Sequence, residues 1–131
     1  MSMYFKPKEK SLKFWDAIDE LLINIGKDYD SWSGIEPPRE MDETTRKIKE
    51  ESSQKFKTGL KFKIGRKFIK VIENNRVWGF IASGDGVHKG IPYTKGDVFK
   101  AAGWAAPAKH VRGSIFDKST DWFHWTGPNY L

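Results

Sequence analysis

Cysteine is absent from all 131 residues, which excludes disulfides and thiolate zinc sites and fits a reducing compartment. No apolar run approaches the ~18 residues of a membrane-spanning helix, and Met1–Lys10 lacks the apolar stretch of a secretory signal. No membrane partner is expected, and the expected location is the cytoplasm of a bacterial or host cell. Histidine is scarce: His88, His110 and His124 lie far apart, with neither i,i+4 spacing nor a His-Glu-x-x-His motif to bind zinc. Ser83-Gly84-Asp85-Gly86 lacks the alternating oxygen ligands of a calcium loop, and its glycines do not join a strand to a helix as a dinucleotide site requires. There is no Gly-x-Ser-x-Gly elbow and no Ser–His spacing suited to nucleophilic catalysis. The expectation is a non-enzymatic protein with no cofactor and no metal.

Acidic side chains are scarce in one half only. Residues 1–54 carry 9 Lys/Arg against 12 Asp/Glu, net −3, whereas residues 55–131 carry 14 against 5, net +9. The stretch from Lys55 to Lys70 holds seven cations and no anion. Clustered Lys and Arg release counterions from a phosphate backbone, so a polyanionic partner is expected. The length suits one domain, 1–131, with an acidic helical part (1–54) and a basic β part (55–131). Aromatics reach 15%, with six Trp and nine Phe. They are either large core side chains that compensate for a small domain or rings on a binding surface.

Leu12, Trp15, Ile18, Leu22 and Ile25 recur at steps of three and four, predicting a helix capped by Ser11 and stopped by Gly26. Asp28–Met41, with Pro37-Pro38, reads as an irregular connection pinned to the core by Trp32 and Ile35. Asp42 is the predicted N-cap of a second helix, polar enough to lie mostly in solvent and laced by pairs such as Glu43/Lys47 and Arg46/Glu50. From Thr58 the period changes to two. Leu60, Phe62 and Ile64 alternate with Lys61 and Lys63, the pattern of a half-buried strand. Lys67–Glu73 and Arg76–Ala82 read as a hairpin about Asn74-Asn75, a turn suited to positive φ. Ser83–Gly96 reads as a glycine-rich loop and Asp97–Ala102 as a fourth strand. The remainder is expected to wrap the sheet, with a turn of helix near Pro107–His110. The fold class is α+β, two N-terminal helices packed on a twisted antiparallel sheet of four or more strands.

The segment Lys95-Gly96-Asp97-Val98-Phe99-Lys100, followed by Trp104, Pro107-Ala108 and Arg112-Gly113, resembles one in small proteins of tailed phages and viral metagenomes. The similarity runs from Lys67 to Asp117. It implies a viral origin and a β-hairpin module, and it transfers no catalytic residue.

On a strand, Lys61 and Lys63 share the face opposite Leu60, Phe62 and Ile64. Lys67, Lys70 and Arg76 lie on or beside neighbouring strands and broaden the row into a phosphate-contacting patch. Lys109 and Arg112, in a basic loop after Pro107, form a second contact; the structural alternative for Arg112 is a tether to carbonyls or Asp117. Phe56, Phe62, Phe68, Trp78 and Phe80 interleave with the cations, as rings do on single-strand binding surfaces, although Phe62 belongs to the buried alternation. The ring-dense end, Asp121–Leu131, either folds back over the sheet or presents Trp122 and Trp125 to a partner. The expected function is binding of nucleic acid, DNA or RNA, largely without sequence choice. The alternative is a host-directed interaction protein whose basic surface meets an acidic host protein, inhibiting or retargeting a bacterial enzyme or defence component. Oligomeric state stays open.

Overall fold

The computed structural model describes residues 5–117 and 119–129, residues 5–12 by backbone alone. Two helices, α1 (Phe5–Ser33) and α2 (Glu43–Thr58), lead into the β part. Strands β1 (Leu60–Ile64), β2 (Phe68–Glu73), β3 (Arg76–Ala82), β6 (Asp97–Ala101) and β7 (Pro107–Ser114) form a five-stranded antiparallel sheet in the order β1-β2-β3-β6-β7. Two small hairpins pair separately and pack against it, β4 (Gly86–His88) with β5 (Ile91–Tyr93), and β8 (Phe123–His124) with β9 (Gly127–Pro128). The fold is α+β, as the periodicities predict.

Helix α1 buries Phe14, Ile18, Leu21 and Ile25, a stripe with helical spacing; Trp15 and Leu22 flank it half-buried. The side chain of Leu12 lies outside the described residues. The helix is longer than its stripe predicts: Ser11 is internal, and Gly26 does not end it. Gly26 is buried at the crossing with α2, where an added Cβ would touch Lys57 Cε at 3.4 Å. Its small size therefore serves the approach of α2's lysine stem, and the chain stays helical because the face below it is still packed. The stop comes at Gly34, φ +86°, where the amides of Gly34 and Ile35 both donate to the Asp30 carbonyl at 3.0 Å. Trp32 consequently belongs to the helix and is 62% exposed, so it does not pin the following loop to the core.

Asp42 caps α2 as predicted, accepting from the Thr45 amide at 2.7 Å, and this hydrogen bond holds its carboxyl below the usual range. Only Ser53 and Phe56 of α2 are buried. Phe56 stacks on Tyr29 of α1 with centroids 4.3 Å apart. Below that stack Asp30 accepts from Ser53 Oγ at 2.5 Å and from Lys57 Nζ at 2.6 Å, so one α1 carboxylate ties two turns of α2.

Both faces of the central strands are covered. Leu60, Phe62, Ile69, Val71, Trp78, Ile81 and Val98 pack toward α1 and α2. Phe68, Val77, Phe80, Ala82, Phe99 and Val111 face the other way, partly beneath Tyr93 of the β4–β5 hairpin. This explains why β2 and β3 read as nearly continuous apolar runs. Two predicted stretches differ from the structure. The loop at 83–96 contains the β4–β5 hairpin, and Pro107–His110 begins the edge strand β7 where a helical turn was predicted. Strand β7 owes its state to pairing with β6, at bulges after Val98 and Phe99 that erase any alternation in its sequence.

The C-terminal rings fold back. Trp122 lies flat on the backbone of β7, where a Cβ on Gly113 would collide with its indole. Trp78 Nε1 donates to the His124 carbonyl at 2.9 Å, and the Trp125 amide donates to Asp28 Oδ2 at 2.8 Å.

Candidate nucleic-acid interface

Strand register decides which cations meet. Lys63 pairs with Lys70 across β1–β2, Lys70 pairs with Phe80 across β2–β3, and Phe80 pairs with Phe99 across β3–β6. These residues form one row on the sheet face turned away from the helices. Lys61 stands on the same face opposite Ile72. The β1–β2 turn adds Arg66 and Lys67. Lys63, Arg66, Lys67 and Lys70, with Phe68, Phe80 and Ala105, line an open depression of about 360 Å³, with no carboxylate among the described residues lining it.

Directly opposed lysines have Cβ atoms only ~5 Å apart and disfavour pairing of their strands. No ion pair relieves the repulsion: among the described residues, none of Lys61, Lys63, Arg66, Lys67 and Lys70 forms one. The helix carboxylates lie behind the other sheet face, where Asp30 pairs with Lys57. A face that keeps uncompensated like charge gains stability when an anion binds there.

The ring accessible at this site is one the interleaving pattern did not include. Trp104 sits on the β6–β7 turn, which Ala102 closes by donating its amide to Ala106 O at 2.9 Å, and it is 56% exposed. Lys70 Nζ lies 4.5 Å from the Trp104 centroid and 6.0 Å from that of Phe80. Phe80, only 3% exposed, is floor rather than a stacking surface. Of the other interleaved rings, Phe56, Phe62 and Trp78 belong to the helix-side core, and Phe68 is half-buried on the basic side. A second depression, of about 380 Å³, shares Arg66 and Lys67 and continues past Ser83–Val87 to Tyr93. The two form one path over the β1–β2 turn.

Arg76, Lys109 and Arg112 do not join this patch. Arg76 lies roughly 13 Å along β3 from the Lys70 partner Phe80, and it donates to Glu73 Oε2 at 2.8 Å and to Thr126 O at 2.9 Å. Lys109 is exposed on β7, the opposite edge of the sheet from β1. Arg112, in that strand and not in a loop, is half-buried near Lys100. Burial, aided by the positive charges of Arg112 and Arg76, pushes the Lys100 pKa down; its ammonium donates to the Pro128 carbonyl. Arg76 and Lys100 thus hold carbonyls of the C-terminal hairpin.

Trp122 and Trp125 are both half-buried. Trp122 packs edge-on against Phe123 at 4.7 Å, and Trp125 lies edge-on to Tyr29 at 5.0 Å. His88 Nε2 lies 3.1 Å from Pro107 O, tying the β4–β5 hairpin to β7. Among the described residues no group of three or more His, Asp or Glu could hold a metal ion, and no helix is long and apolar enough to cross a membrane.

Residues 21–130 match the family model described as a family of unknown function (DUF7717). No curated protein and no solved structure matches the chain.

Proposed function

The chain belongs to that family, DUF7717, and from this premise we propose that it binds nucleic acid through the basic face of β1, β2 and their turn, without enzymatic activity of its own. The observation that carries the reading is the cross-strand Lys63–Lys70 pair, joined by Arg66 and Lys67 in a depression with no carboxylate among the described residues lining it, with Lys61 on the same sheet face beside it. Side chains of this kind meet phosphate oxygens and carry no base-edge readout, so affinity without sequence choice is expected. The likeness of Lys67–Asp117 to small tailed-phage proteins supports setting this role in the cytoplasm of an infected cell.

A salt titration tests it. With those cations each neutralising one phosphate, log K falls with log salt at a slope of about −3.5 for single strands. Affinity for any oligonucleotide of adequate length then drops roughly a hundredfold between 50 and 200 mM salt. An acidic host protein as the partner instead predicts little or no oligonucleotide binding at either salt concentration. That result contradicts the proposal.

A further inference from the structure

We infer that the ligand of this face is a single strand, one of whose bases stacks on Trp104 while its phosphates lie over Lys70, Lys63 and the β1–β2 turn. This deepens the proposed function and rests on it.

Three observations lead there. First, the basic face contains an open depression of about 360 Å³, within the size range of small-ligand sites and able to take a nucleotide. Second, the exposed Trp104 projects from the Ala102–Ala106 turn, beside the cations rather than in a core, and among the described residues no other ring packs against it. Beyond its contact with Lys70 the exposed indole is available to a base, which would stack on it. Third, the Lys70 ammonium lies against one face of that indole, 4.5 Å from its centroid. A base on the other face makes a cation–indole–base sandwich and brings its own phosphate within reach of Lys70 and Lys63. The second depression, about 380 Å³, shares Arg66 and Lys67 and offers flanking nucleotides a path on that side, although the Asp85 carboxylate is part of its lining. Stacking accepts every base, so the arrangement is consistent with binding that ignores sequence.

The test uses the full chain with fluorescein-labelled oligo(dT) and oligo(rU), a duplex of equal length, and inorganic polyphosphate as competitor. The wild type is expected to bind both single strands more tightly than the duplex. Trp104→Ala is expected to lower single-strand affinity about tenfold or more, with little change in the salt slope or in duplex affinity. Trp104→Phe should restore part of the loss, and unchanged thermal unfolding of both variants shows that the fold is intact. Equal affinity for duplex and single strand with no effect of Trp104→Ala overturns the inference and leaves the nucleic-acid reading standing. Polyphosphate competing as well as oligo(dT), charge for charge, overturns it too. Loss of binding to every nucleic acid tested overturns both.

Discussion

Reversing both opposed lysines, Lys63→Glu with Lys70→Glu, is expected to reduce oligonucleotide affinity on the order of a thousandfold at 0.1 M salt. Each neutralised single-strand phosphate contact is worth roughly 0.7 log units at that salt, and a reversal counts about twice because it also repels. The single change Lys63→Glu is the more diagnostic, since its two effects have opposite signs. It removes a cation from the depression and so weakens binding by about twenty-five-fold on the same arithmetic. It also converts the opposed Lys63–Lys70 pair into a Glu–Lys pair, which favours the β1–β2 pairing by a few tenths of a kcal/mol. A fold that becomes slightly more stable as its binding collapses is the signature of charge kept for a ligand. Fluorescence anisotropy and urea denaturation on the same preparation read both effects. Lysines serving only as solubility and edge protection predict unchanged binding instead.

Trp78→Ala is expected to cost about 3–5 kcal/mol, a large part of the ~5–15 kcal/mol that stabilises a domain of this kind. Trp78 is 2% exposed and is the side chain on which the helix-side core and the C-terminal arm converge. Its ring stands edge-on to Phe123 at 5.8 Å and to Trp122 at 6.5 Å, and its Nε1 holds the His124 carbonyl. Truncation therefore opens a cavity and releases the β8–β9 hairpin together. Trp78→Phe keeps most of the packing but loses the donor, so a cost of about 1–2 kcal/mol is expected. A loss below ~1 kcal/mol for Trp78→Ala contradicts this placement of the core. The lesion lies on the helix side of the sheet, so any fraction that remains folded is expected to bind oligonucleotide with unchanged salt slope.

The parts of the fold read correctly from sequence are those governed by local chemistry. The alternation of Leu60 and Phe62 with Lys61 and Lys63 states which face of β1 turns to the helices, whereas Ile64, expected on the same buried face, is 63% exposed at the strand's end. Asn74 does adopt positive φ, 56°, between β2 and β3, and Asp42 does cap α2. What sequence alone did not reveal depends on neighbours distant along the chain. Gly26 carries the composition of a helix stop, but the approach of Lys57 from α2 gives it a packing role inside the helix. Pro107–Ser114 has one β-branched residue, Val111, and becomes a strand because β6 offers an unpaired edge.

The candidate site divides along the same line. The Lys55–Lys70 run was legible as charge, and Lys61, Lys63, Lys67 and Lys70 do gather on or beside one face through the hairpin geometry of β1 and β2. Arg66, within that run, joins them through the turn. Arg76 shares the hairpin, but it is only three positions from Glu73 and is drawn to that carboxylate and to Thr126. Trp104 gave no periodic signal, because a turn between bulged strands has none. Only its position beside Lys70 marks it.

The most direct measurement is a backbone amide NMR titration of the intact chain with a short oligo(dT). Shifts are predicted to concentrate in Lys61–Lys70 and Ala102–Ala106, with little change in α1, α2 or around Arg76, Lys109 and Arg112. Shifts confined to the helices or to the Arg76–Arg112 region, or none at saturating oligonucleotide, would contradict the account.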